Sequence, residues 1–83
     1  MDKSTFSKHF GSYIKLLRNQ KSWSQSELAD VLGNNFQNIS AMERGEFTPT
    51  IFMVNKIADA FGITLTQMII GFENHLVNLE HDL

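Results

Sequence analysis

An 83-residue chain with 42% hydrophobic residues and a single proline has apolar material for one small core, so one helical domain is expected and a second is not. It contains no cysteine, which excludes a disulfide framework and a thiolate zinc site and is compatible with a reducing cytoplasm, the compartment expected for it. The formal net charge of −2 argues at first sight against duplex DNA as a partner, because Lys and Arg neutralising phosphates supply most of that affinity.

The first predicted helix spans 5–20, with Phe10, Ile14 and Leu17 on one face. Met1 to Phe10 carries Asp2, Lys3, Lys8 and His9 and no long apolar run, so neither a signal peptide nor a membrane span is expected. The stretch Trp23 to Pro49, WSQSELADVLGNNFQNISAMERGEFTP, then spells two short helices joined by a tight turn. Ser24 and Glu27 form a capping box that opens a second helix over 25–32, in which Leu28, Ala29 and Leu32 supply a side to bury. Gly33 stops it, since glycine enters the left-handed region without steric cost. Asn35 is the N-cap of a third helix over 36–44, whose inward stripe is Ile39 and Met42, and Gly45 closes it. Two helices with about three residues between them cross near the perpendicular, which makes this a helix-turn-helix.

Thr50, after Pro49, caps a fourth helix over 51–61 that Gly62 ends, and Thr64 with Gln67 repeats the capping box for a fifth over 65–70. The expected core is Phe10, Ile14, Leu17, Leu28, Ala29, Leu32, Ile39, Met42, Val54, Ile57, Ala58, Phe61, Ile63, Leu65, Met68 and Ile69, with Trp23 at its edge. Residues 1–70 thus read as the domain and 71–83 as an amphipathic extension. Ile69, Phe72, Leu76, Leu79 and Leu83 recur as a heptad seam flanked by Glu73 and Glu80, a pattern that allows a short sixth helix. Two heptads are too few to stand alone, so the seam folds back on its own domain or packs on a partner. The expectation is the second, a dimer contact through Phe72, Leu76 and Leu79.

The charge is unevenly spread. Through Gly45 the bases Lys3, Lys8, Lys15, Arg18, Lys21 and Arg44 outnumber the acids Asp2, Glu27, Asp30 and Glu43. From Glu46 onward Lys56 stands against Glu46, Asp59, Glu73, Glu80 and Asp82, so the half that contains the motif is the basic one. A monomer with so few cations should hold DNA weakly, and a dimer is expected.

These residues resemble the Cro/repressor-type helix-turn-helix domains of phage repressors and small bacterial regulators. Gly11, Ile14, Leu17 and Arg18 match that family's first helix, and Pro49, Val54, Ile57, Ala58, Phe61 and Ile63 match its fourth helix and the start of its fifth. The resemblance covers roughly residues 10 to 70 and implies an all-α, compact five-helix bundle of the lambda repressor type. It also implies that the third helix lies in the major groove, where Phe36, Gln37 and Ala41 correspond to base-reading positions and Asn38 reaches a base or a phosphate. Gln37 can bond an adenine edge in bidentate fashion, while Phe36 and Ala41 can meet thymine methyls.

Phosphate contacts are expected at the second helix's N-terminus, where free amides and the helix dipole favour an anion. Gln25 matches the family's phosphate-clamping glutamine, Ser24 and Asn35 are companions that also have capping roles, and Arg44 extends toward the backbone. Glu46 stands where the family often has a base, and a carboxylate there repels phosphates. Arg18 and Glu43 match a partly buried ion pair between the first and third helices.

His9, His75 and His81 show no metal-ligand spacing and read as solvated, and no serine or carboxylate pair is set for nucleophilic or acid–base work. An enzyme, a metal, a cofactor and a small-molecule ligand are therefore not expected. The expected function is a sequence-specific DNA-binding transcriptional regulator, acting as a homodimer on a two-fold-related operator in double-stranded DNA. Without an effector domain, control would come from its concentration, a partner protein or competition among operators. Chains this short resemble restriction-modification controllers, phage Cro-like repressors and antitoxins. The rival is a protein-interaction module, antitoxin or adaptor-like, that keeps the fold with weak or no DNA binding; the acidic second half, Glu46 and the apolar tail speak for it.

Overall fold

Helix boundaries follow from side chains that satisfy the orphaned amides at each start. The computed structural model describes the backbone of residues 1–81 and the side chains of residues 1–79, and among these it has five helices and no strand. Helix α1 (Lys3–Gln20) begins earlier than expected because Asp2 caps it, its carboxylate accepting from the Thr5 amide at 2.8 Å. That bond from the Thr5 backbone holds the Asp2 carboxyl below its ordinary range. Helix α2 (Gln25–Leu32) opens on the reciprocal Ser24–Glu27 box, both bonds at 3.0 Å. Helix α3 (Phe36–Glu43) starts on Asn35, whose side chain accepts from the Asn38 amide at 2.9 Å. Thr50 caps α4 (Ile51–Ala60), and Thr64 with Gln67 boxes the start of α5 (Leu65–His81).

The core gathers Ile14 from α1, Leu28 and Leu32 from α2, Ile39 and Met42 from α3, Val54 and Ile57 from α4, and Met68 and Phe72 from α5. Trp23 stacks on Phe61 with ring centroids 5.6 Å apart, closing one edge. Ile69, expected inside, is 37% exposed, because Met68 and Phe72 hold the inward line of α5 and turn their neighbour aside.

No separate sixth helix forms. Residues 65–81 are one continuous helix that runs straight through Gly71, and its second half folds back along α1. Phe72, expected at a dimer contact, is 5% exposed inside the protomer, with its ring 5.3 Å from Phe6, 5.2 Å from Phe10 and 5.9 Å from Tyr13. Leu76 is half-buried against the same core and Leu79 is half-buried. Leu83 and the side chain of Glu80 lie outside the described residues. The helix keeps a glycine at 71 because a Cβ there would sit 2.1 Å from the Tyr13 hydroxyl oxygen.

His75 also departs from expectation. It is half-buried against Tyr13 at 5.4 Å, and its Nε2 is buried with no hydrogen-bond partner among the described residues. Burial, with His9 nearby, pushes its pKa down.

The Gly71 contact is testable by a double-mutant cycle. Gly71→Ala should destabilise by about 1–2 kcal/mol through overpacking, despite alanine's better helix propensity, and the cost should shrink in a Tyr13→Phe background. Equal costs in both backgrounds, measured by denaturant unfolding, would show that the hydroxyl is not what excludes a side chain.

Candidate nucleic-acid interface

Burial divides α3 cleanly. Ile39 and Met42 are fully buried, whereas Phe36 is 50% exposed, Gln37 and Asn38 are exposed, and Ala41 is half-buried. Phe36 is therefore on the surface side of the motif and not in the core. Among the described residues Gln37 makes no side-chain hydrogen bond, so its carboxamide keeps both its donors and its acceptor for an external partner. Asn38 is less free: its Nδ2 donates to Asn34 Oδ1 at 2.8 Å, and that same oxygen accepts from the Asn35 amide at 2.8 Å. Asn34 was not singled out from sequence; an asparagine after the Gly33 turn was the available signal.

At the start of α2 the capping box consumes the Ser24 and Glu27 amides, and Leu28 bonds back to the Ser24 carbonyl. Among the described residues the backbone N–H groups of Gln25 and Ser26 find no protein acceptor and lie at the positive end of the helix dipole. The Ser24 hydroxyl accepts from the Glu27 amide, and the Asn35 side-chain Oδ1 accepts from the Asn38 amide, so each has its capping job in place.

Gln25 is held from behind. Its Nε2 donates to Glu43 Oε1 at 3.1 Å, leaving one amide hydrogen to point elsewhere. Glu43 is itself fixed by Arg18, whose Nε donates to Oε2 at 2.7 Å and whose Nη2 donates to Oε1 at 3.0 Å. Arg18 Nη1 donates to the Trp23 carbonyl at 2.7 Å, just before α2. Both side chains are nearly out of water, at 10% and 3% exposure, and the bond to Glu43 strengthens Arg18's hold on its proton. The pair can form because Gly11 brings α1 against the end of α3: a Cβ at Gly11 would lie 2.3 Å from the Met42 carbonyl oxygen.

Arg44 does not extend outward. Its Nε donates to Glu46 and its Nη1 to the Ser40 hydroxyl, all on the exposed flank of α3. The hydrogen bond from Arg44 holds the Glu46 carboxyl below its ordinary range. The residue that read as a repulsive intruder is thus the local partner of the cation beside it.

The family model described as Helix-turn-helix (HTH_3) matches residues 14–68. The chain belongs to this family of transcriptional regulators. It is 31% identical over 55 residues to the uncharacterised HTH-type transcriptional regulator YgzD of Bacillus subtilis, a match covering 66% of this chain and 83% of that one. It is 32% identical over 66 residues to the competence pilus inhibition repressor of Acinetobacter baylyi, covering 77% of this chain and 58% of that longer protein. Among solved structures, the restriction-modification controller protein C.AhdI of Aeromonas hydrophila superposes with a TM-score of 0.75 at 26% identity, over 82% of this chain and 99% of that one. Among the described residues no group of three or more His, Asp or Glu side chains could hold a metal, and no helix is long and apolar enough to cross a membrane.

The pairing of Arg44 with Glu46 can be tested through the affinity for duplex DNA. Glu46→Gln should free the guanidinium for a phosphate, tighten binding to random-sequence duplex severalfold at low salt and steepen the log–log salt slope by about 0.9. Unchanged affinity and slope in an anisotropy titration would mean that Arg44 reaches no phosphate.

Proposed function

We propose that this helix-turn-helix transcriptional regulator binds double-stranded DNA in the cytoplasm as a homodimer on a two-fold-related operator, and that it acts by binding and not by catalysis. Support for a reading role comes above all from Gln37, an exposed carboxamide with no side-chain partner among the described residues on the outward side of α3. It is the residue with free groups to bond the adenine N6/N7 edge in bidentate fashion. Phe36 and Ala41 lie beside it and offer apolar contact to thymine methyls, which gives an A·T preference. Asn38 takes a lesser share, because Asn34 already occupies one of its hydrogens.

The amides of Gln25 and Ser26, with the remaining hydrogen of Gln25 Nε2, suit a phosphate at the start of α2. Ser24 can still donate its hydroxyl hydrogen while it caps the helix. Asn35 keeps its amide donors, and Arg44 joins once Glu46 releases it. Two such footprints, with reading helices about 34 Å apart, place both motifs on one face of the duplex. Doubling the contact offsets the small number of cations.

Base readout and phosphate contact predict different losses. On a site selected from a random duplex pool, Gln37→Ala should cost about 1–3 kcal/mol while leaving non-specific binding nearly intact. Gln25→Ala should weaken binding to all sequences alike. An equal loss on cognate and random duplex for Gln37→Ala would remove that residue from the reading set.

A further inference from the structure

Phe36 is the one large apolar side chain that α3 leaves in water, since Ile39 and Met42 on the same helix are fully buried. The fold makes little use of its ring. Among the described residues it stacks on no other aromatic ring, and the start of α3 is already secured by the Asn35 side chain. The polar groups around it are engaged with one another. Ser40, one turn along on the same side of the helix, accepts from Arg44, and the Arg44 guanidinium is held by Glu46. Asn35 Oδ1 accepts from the Asn38 amide, and Asn38 Nδ2 donates to Asn34. Glu43, the carboxylate of α3, is taken up by Arg18. An exposed phenyl ring thus stands at the head of the reading helix with no free cation or carboxylate of α3 beside it.

Base edges in the major groove present donors and acceptors, with a single apolar group among them, the C5-methyl of thymine. 5-Methylcytosine carries the same methyl at the same ring position and differs from thymine at C4, where an amino group replaces the oxygen. Telling those two bases apart takes a donor or an acceptor aimed at C4, and a carboxylate is the side chain suited to the cytosine amino group. A phenyl ring supplies neither, so it responds to the methyl and not to the base that bears it.

We propose that Phe36 reads the C5-methyl group itself and thereby makes binding sensitive to cytosine methylation: where its ring meets a pyrimidine, thymine and 5-methylcytosine are favoured over unmethylated cytosine. This rests on the DNA-reading role proposed above and deepens it by naming a modified base as a ligand. Methylation of one cytosine in each half-site would then tighten the hold on an operator with no change in the protein.

The test uses a site selected from a random duplex pool, in which each thymine is replaced in turn by deoxyuridine, a change that removes only the methyl. At one position per half-site affinity should fall about fourfold, the equivalent of one buried methyl at about 0.8 kcal/mol. At that position 5-methylcytosine paired with guanine should bind about fourfold tighter than cytosine paired with guanine. Phe36→Ser should erase both differences, and Phe36→Leu, which keeps an apolar side chain, should retain them, with helix content checked by circular dichroism. Should Phe36→Ser unfold, the cytosine pair measured on wild type and on Phe36→Leu still decides. Failure to select any site overturns the DNA-reading role as well. A selected site where no thymine methyl matters, a loss that persists in Phe36→Ser, or equal binding of cytosine and 5-methylcytosine overturns this inference alone.

Discussion

The buried contact between Arg18 and Glu43 is the constraint on which the motif depends. Removing an arginine and a glutamate from water costs several kcal/mol per ion unless every remaining donor and acceptor is met. Here each nitrogen of the guanidinium and both oxygens of the carboxylate find a partner. Arg18 bonds both oxygens of Glu43 and the Trp23 carbonyl, and Glu43 also accepts from Gln25. These bonds close only when the end of α1, the start of α2 and the end of α3 are all in place, so the angle between the helices of the motif is tied to the desolvated charge. The close approach at Gly11 is the steric half of the same constraint.

The arrangement separates polar groups that build the fold from those left over for a partner. Ser24, Asn35, Thr50 and Thr64 are each engaged in starting a helix. Asn34 and Asn38 brace each other across the turn, and Arg44 is paired with Glu46. On the outer face of the motif, the Gln37 carboxamide, the amides at the head of α2, the Phe36 ring and the spare donors of Ser24, Gln25 and Asn35 stay open among the described residues. Such a surface can discriminate between sequences while binding each copy weakly, which is why assembly matters to the proposed function. A protein whose electrostatic hold is small gains most from a second footprint.

Much of this was legible because helix ends are local chemistry. The bounds of α2 coincide with those expected from Ser24, Glu27 and Gly33, and α3 and α4 each stop one residue early, where Arg44 and Phe61 serve as C-caps. The Asp2 cap that starts α1 was present in the sequence as an aspartate three residues before Thr5. What escaped is non-local. Gly71 looks the same in a sequence whether it ends a helix or makes room for a neighbour, and the hydroxyl that requires it comes from α1. The heptad seam carrying Phe72 has the same period whether its partner is another chain or the first helix of its own. His75 read as solvated because nothing local shows that Tyr13 covers it. The type and position of Gln25 could be read from the motif, but not the bond it donates to Glu43, which orients it.

The most direct test of the central constraint is the thermal stability of Arg18→Ala measured with no DNA present, alongside its affinity for random-sequence duplex. Leaving Glu43 buried and unpaired should destabilise the fold by about 3–5 kcal/mol and lower the melting temperature clearly before any duplex is added. Unchanged stability combined with lost DNA binding would contradict the account, making Arg18 a phosphate contact and leaving the motif to be held by packing alone.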